Sequence, residues 1–181
     1  MPALTSPEST ATSNQFRAAM RRLPTSVVVV SGMENGNPIG MVVGTFTSVS
    51  MEPLLVGFLG DEKSSTLKHI LELEHLSFNV LDQDDELTAN EFRKPLDQRF
   101  AALSWEPGHH GAPVLLDSVM TFHTRRHSTT PAGDHTFLLA EVLDVEQRHP
   151  TRRPLVYVEG WMTRLDPWHK VSPHLWQMGW D

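Results

Sequence analysis

The chain of 181 residues contains no cysteine. That absence excludes disulfides, thiolate metal ligands and a cysteine nucleophile, and it fits a cytoplasmic protein. No apolar run approaches the roughly 20 residues that a membrane-spanning helix needs. The first ten residues, Met1 to Thr10, lack the basic and apolar regions of a secretory signal, so residues 1–12 read as a short disordered lead. A basic stripe is missing too: 15 basic residues against 22 acidic ones give a net charge of −7, which argues against nucleic-acid binding. There is no Gly-x-Gly-x-x-Gly, so a Rossmann site is not expected. The ten histidines invite a metal reading, but His109 and His110 are adjacent and diverge. His123 and His127 stand four apart along a strand, and no compact ligand set with carboxylates accompanies them. No repeat, low-complexity tract or linker divides the body, and the length suits one domain.

What the chain does contain is a succession of strand signals. Thr12 and Gln15 form a capping box ahead of Phe16, Ala19, Met20 and Leu23 at helical spacing, and Pro24 ends that helix. Ser26 to Ser31 is β-branched and continuous, as a strand buried on both faces requires. Glu34-Asn35-Gly36-Asn37 predicts a hairpin turn, a second strand from about Ile39 to Thr47, and a third from Leu54 to Leu59. Ser65 or Thr66 is expected to cap a helix carrying Leu67, Ile70 and Leu71. Further strands are expected at Leu76–Leu81, Val119–His127, His135–Arg148 and Leu155–Leu165, with a helix over Asp84–Phe92 and a short one near Phe100. The order is antiparallel in character and predicts a mainly β, closed barrel with helices on its outside. Residues 167–181 form a separate tail with Trp168, Trp176, Met178 and Trp180, side chains that favour docking on their own domain or across a dimer.

Three stretches carry chemistry. Lys63-Ser64-Ser65-Thr66 leads into a helix, where unpaired amides and the positive dipole end favour an anion. An ordinary N-cap has the same local pattern. Gly44 to Ser50 is rich in small hydroxyl residues and supplies polar atoms at a strand end, either for a ring ligand or for local turns. Gly133-Asp134-His135, ahead of the apolar run Thr136–Val142, is an Asx-type turn or a polar site beside a strand.

Taken in order, Gly40-Met41…Phe46-Thr47-Ser48-Val49-Ser50, Ser64-Ser65-Thr66 and Gly133-Asp134-His135 resemble the short-chain NAD(P)H:flavin reductases. The resemblance implies an FMN-binding split β-barrel over residues 13–166, a homodimer, and hydride transfer from NADH or NADPH to FMN or FAD. Reduced flavin would then pass to a partner flavin-dependent monooxygenase. It implies that Gly44, Thr45, Phe46, Ser48, Val49 and Ser50 meet the flavin ring, that Ser64, Ser65 and Thr66 hold its phosphate, and that Gly133, Asp134 and His135 lie beside flavin and nicotinamide. His135 would position and polarise and Asp134 would orient it, because hydride transfer needs alignment and dryness, not a base. Asn79, in Phe78-Asn79-Val80-Leu81, meets the ring edge or satisfies backbone inside the barrel. Phe92 and Phe100 are expected in the core, and Gly111 to Leu115 in a structural turn. Arg125, Arg126, Arg152 and Arg153 are candidates for the dinucleotide phosphates.

The chain departs from the family pattern at Val42 (usually Thr), at Gly44, at Thr45 and at His123, where many relatives carry cysteine. Those departures motivate an alternative: a barrel without reductase activity that binds flavin or a biosynthetic intermediate and guides a non-redox rearrangement or cyclisation. A third reading is an oxidoreductase that retains FMN and reduces an organic substrate directly.

Overall fold

The computed structural model describes residues 11–165, so the tryptophan-rich tail of residues 167–181 lies outside the described residues. Helix α1 (Ser13–Met20) starts with the expected reciprocal cap: Gln15 N donates to Thr12 Oγ1 at 3.2 Å, and Thr12 N donates to Gln15 Oε1 at 2.9 Å. None of its residues is buried. A short β1 (Thr25–Ser26) precedes β2 (Val28–Glu34), which turns at Asn35-Gly36 into β3 (Asn37–Val43). Then follow β4 (Thr47–Met51), β5 (Leu54–Asp61), α2 (Ser65–Glu72), β6 (His75–Val80), α3 (Glu86–Glu91) and a 3-10 turn (Leu96–Gln98). The paired β7 (Trp105–Pro107) and β8 (Pro113–Leu115) lead to the long hairpin of β9 (Met120–Ala132) and β10 (His135–Glu146). A small hairpin of β11 (Val156–Val158) and β12 (Trp161–Thr163) completes the fold.

Seven strands form one antiparallel sheet in the order β3-β2-β6-β9-β10-β5-β4. The sheet curls on itself. Ile39 and Val43 of β3, near one edge, share a buried cluster with Val56 and Phe58 of β5, near the other. The edge strands β3 and β4 are not ladder neighbours, so the expected closed barrel is split along that seam. Helix α2 joins the same cluster through Leu67 and Ile70.

The unbroken valine run has a direct structural reason. Val28 and Val30 face the barrel interior, whereas Val27 and Val29 face a second cluster that contains Phe92, Phe100, Leu115 and Leu155. Both faces of β2 are therefore buried, and alternation has no polar side on which to show. Phe92 and Phe100 pack edge to face at 5.4 Å as core residues.

Several boundaries differ from expectation: β9, expected to end at His127, runs to Ala132, and β2, expected over Ser26–Ser31, spans Val28–Glu34. The strand expected through Thr47 stops at Val43, because Phe46 turns its ring against Phe78 and Phe122 (4.9 and 5.3 Å between centroids) and takes Gly44–Phe46 out of the ladder. The strand expected over Leu155–Leu165 is instead a hairpin, with Glu159 and Gly160 at positive φ between β11 and β12. Among the described residues no helix is long and apolar enough to cross a membrane.

Candidate active site

A cavity of about 730 Å³ lies on the outer side of the split barrel, a size typical of small-molecule sites. It is lined by β3 and the loop after it, Met41 to Thr45, and by α1 with Phe16 and Met20. Ala89 and Phe92 enclose one side, and β1, Tyr157 and Met162 another. Apolar side chains dominate the lining, with hydroxyls from Ser64 and Thr66 at one end.

The hydroxyl end is built on the start of α2. Ser64, not Ser65 or Thr66, is the N-cap, its Oγ accepting from Leu67 N at 3.2 Å. Ser65 is exposed and does not line the cavity. Thr66 is buried, and its Oγ1 accepts from Arg99 Nη1 at 2.9 Å. The same Nη1 donates to Gly40 O at 2.8 Å, and Arg99 Nε donates to Lys94 O at 2.9 Å. Burial pulls the pKa of the Arg99 guanidinium below its ordinary value. No carboxylate pairs with Arg99 among the described residues, so the cavity keeps an uncompensated cation beside two hydroxyls. Gly40 makes this arrangement possible. A Cβ there would stand 2.8 Å from Val30 O and 3.1 and 3.2 Å from the Phe92 and Phe100 rings, so only glycine lets those rings seat the Arg99 segment against β3. Arg99 is not among the residues expected from sequence at this site, where a lone arginine preceding the core residue Phe100 is its only signal.

Of the expected ring contacts, Gly44 and Thr45 line the cavity and Val42 lines it beside them. The Thr45 hydroxyl is already engaged, donating to Leu59 O at 2.8 Å and accepting from Leu59 N at 3.0 Å, so it ties the loop to β5. Phe46, Ser48, Val49 and Ser50 do not line it. Phe46 packs inward on the barrel core, and Ser48, Val49 and Ser50 belong to the edge strand β4. Asn79 is fully buried in an internal network. Its Nδ2 donates to Ser31 Oγ at 2.9 Å, and its Oδ1 accepts from Leu115 N at 3.0 Å and Thr121 Oγ1 at 3.1 Å. Its amide finds protein partners on both its nitrogen and its oxygen, and Asn79 is not among the residues that line the cavity.

Gly133 and Asp134 form the two-residue turn of the β9–β10 hairpin, with Gly133 at φ +71°, as a glycine at the first central position of a II′-type turn requires. His135 Nδ1 lies 2.7 Å from Asp134 Oδ1, and the imidazole holds the Asp134 carboxyl below its ordinary range. The turn is anchored to the phosphate-end loop: His135 is opposite Asp61 in register, Glu62 N donates to Asp134 O at 3.2 Å, and Thr136 Oγ1 donates to Glu62 Oε1 at 3.2 Å. Thr45, Ser64 and the Gly133–His135 turn thus converge on the C-terminal end of β5. Gly133, Asp134 and His135 are not among the residues that line the cavity.

The arginines singled out by sequence serve other partners. Arg125 pairs with Glu141 at 2.7 Å, Arg126 donates to Leu73 O, and Arg152 and Arg153 border a separate acidic hollow with Asp82, Asp84, Asp85 and Asp117. The cavity carries Arg17, Arg21, Arg93 and Arg99 instead. His123 is buried away from it, with its ring stacked on His109 at 5.3 Å. Among the described residues no group of three histidine or carboxylate side chains could hold a metal.

A largely apolar hollow that carries the Ser64 and Thr66 hydroxyls and the Arg99 guanidinium fits an apolar ring with an anionic tail. The chain is 35% identical over 156 residues to an NADH:FMN oxidoreductase of Rhodococcus qingshengii, covering 84% of this chain and 81% of that one. It is 26% identical over 163 residues to the reductase subunit HsaB of a flavin-dependent monooxygenase of Rhodococcus jostii, covering 90% and 83%. Its fold superposes with a TM-score of 0.80 on the NADH:FAD oxidoreductase SgcE6 of Streptomyces globisporus, solved with NAD and FAD fragments, at 28% identity and covering 86% and 94% of the two chains. Residues 20–166 match the flavin reductase like domain, and the protein belongs to that family.

Proposed function

We propose that the protein passes hydride from NADH or NADPH to FMN or FAD and supplies the reduced flavin to a partner monooxygenase. The observation that carries this reading is the joining of Gly44, Thr45, Ser64 and Thr66 in one largely apolar cavity with Arg99 at its hydroxyl end. Bound flavin supplies the hydride-accepting ring. Ser64, Thr66 and Arg99 hold the phosphate, by charge-assisted hydrogen bonds stronger than neutral ones. Met41, Val42 and Val43 keep water from the apolar wall. Kinship with a monooxygenase reductase subunit supports the partner.

His135 is assigned to positioning the nicotinamide, with Asp134 fixing its ring through their 2.7 Å contact. This role rests on the family resemblance of the Gly133-Asp134-His135 turn. We also assign a homodimer: Val49 and Met51 of β4, Leu54 and Leu59 of β5, and Leu143 and Val145 of β10 are exposed apolar side chains, a feature that favours association. Light scattering at two protein concentrations reads the mass directly, and a monomer at both removes the assignment.

The deciding experiment is to titrate the purified protein with FMN and FAD by flavin fluorescence, then to follow NADH and NADPH absorbance. Flavin-dependent oxidation is the expected result. Binding without oxidation supports the non-redox alternative, and no flavin binding ends the reading. His135→Ala is expected to lower turnover by a larger factor than it weakens FMN affinity; equal or absent effects remove the assignment of His135.

A further inference from the structure

We propose that the face of α1 turned toward the cavity receives the adenosine diphosphate half of a dinucleotide, whether FAD or NAD(P)H. The inference rests on the flavin-reductase reading and adds a second anion locus to it.

The cavity lining contains four arginines and no aspartate or glutamate, in a chain of net charge −7. One phosphate is already provided for by Ser64, Thr66 and Arg99. Arg17 and Arg21 are a separate pair, contributed by α1 and its C-cap. They stand four residues apart, hence on one side of the helix. Neighbouring Arg22 lies 4.0 Å from Glu159, whereas neither Arg17 nor Arg21 has a carboxylate partner among the described residues. The same lining exposes large apolar side chains: Phe16 is 63% exposed, Met20 47% and Tyr157 40%. No residue of α1 is buried, so nothing in the described fold uses this face.

A pair of unpaired guanidinium forks beside aromatic surface matches a pyrophosphate joined to a purine. The forks take phosphate oxygens two at a time, and the base covers the apolar side chains. A flavin mononucleotide has neither group to offer there. The adenosine diphosphate group occurs in both FAD and the nicotinamide substrate, and the two sources separate experimentally.

The test is the double variant Arg17→Gln/Arg21→Gln, with an unchanged melting temperature as the check that the fold is intact. Quenching of flavin fluorescence gives the affinities for FMN and FAD, and calorimetry gives the affinity for free ADP. The expected result is loss of ADP binding, accompanied by one of two signatures. If FAD is the source, affinity for FAD falls about 10- to 100-fold more than affinity for FMN. If the nicotinamide substrate is the source, the FAD to FMN ratio stays constant and KM for NADH with FMN rises by a similar factor while kcat is kept. Arg17→Lys/Arg21→Lys restores part of either loss. Equal losses for FMN and FAD with no change in KM, or no loss at all, overturn the inference while leaving flavin reduction standing. Wild-type protein that quenches neither flavin overturns the functional reading itself.

Discussion

Arg99 donates from one nitrogen to both the Thr66 hydroxyl, at 2.9 Å, and the Gly40 carbonyl, at 2.8 Å. The guanidinium therefore fixes the distance between β3 and the start of α2, the two sides of the cavity's hydroxyl end. Arg99→Gln is expected to weaken FMN about 10- to 100-fold and riboflavin, which has no phosphate, by less than about 3-fold. Parallel fluorescence titrations measure both. Equal weakening would show that Arg99 supports the wall and not the ligand.

Val42 lines the cavity at a position where the flavin-reductase resemblance implies a threonine. Restoring the hydroxyl adds one neutral hydrogen bond at roughly constant volume, worth about 0.5–1.5 kcal/mol. Val42→Thr is thus expected to tighten FMN by about 2- to 10-fold. Weaker binding would mean that the hydroxyl finds no acceptor on the ligand and only disturbs the packing with the second core cluster.

Asn79 holds Ser31, Leu115 and Thr121 together at zero exposure. Asn79→Ala leaves the Leu115 amide and neighbouring groups without partners, at about 1–3 kcal/mol for each buried unsatisfied group. Denaturant melts are expected to show a clear loss of stability, while FMN affinity of the folded fraction stays within about 2-fold. A large change in flavin affinity without destabilisation would return Asn79 to the ligand site.

Asp85 caps α3, accepting from Thr88 N and, at 2.7 Å, from Thr88 Oγ1. Burial outweighs those hydrogen bonds and raises its pKa above the ordinary 3.8, with Asp117 and Asp82 adding repulsion. The folded state therefore holds this proton at a pH where the unfolded chain has released it. The associated stability is fully present below 3.8 and is lost as pH rises through the folded-state value. Asp85→Asn keeps an acceptor at the cap and removes the titration. Its melting temperature relative to wild type is expected to rise from about pH 4 to about pH 7, and a constant difference would contradict the raised pKa.

Local chemistry made some of this legible in advance. The Thr12–Gln15 box, the valine run of β2 and the Gly133 turn are each decided by residues within a few positions of one another. Asn79 and Arg99 are decided elsewhere. The Asn79 carboxamide is satisfied by groups 36 and 42 residues away, and Arg99 reaches partners 33 and 59 residues away. Nothing near them in sequence says whether they face a ligand or the protein. Phe46 shows the same dependence: its motif position suggested a ring contact, but Phe78 and Phe122 draw it into the barrel. Of the Gly44–Ser50 stretch, Gly44 and Thr45 line the cavity.

Helix α1 places no side chain in either core cluster. Unseating it costs little beyond fraying, whereas prying apart the seven-stranded sheet costs much of the global stability. Amide hydrogens over Ser13–Met20 should thus exchange fast in the empty protein and slow down when a dinucleotide is present. Ligand binding at the cavity would then order this helix and leave the barrel behind it unchanged.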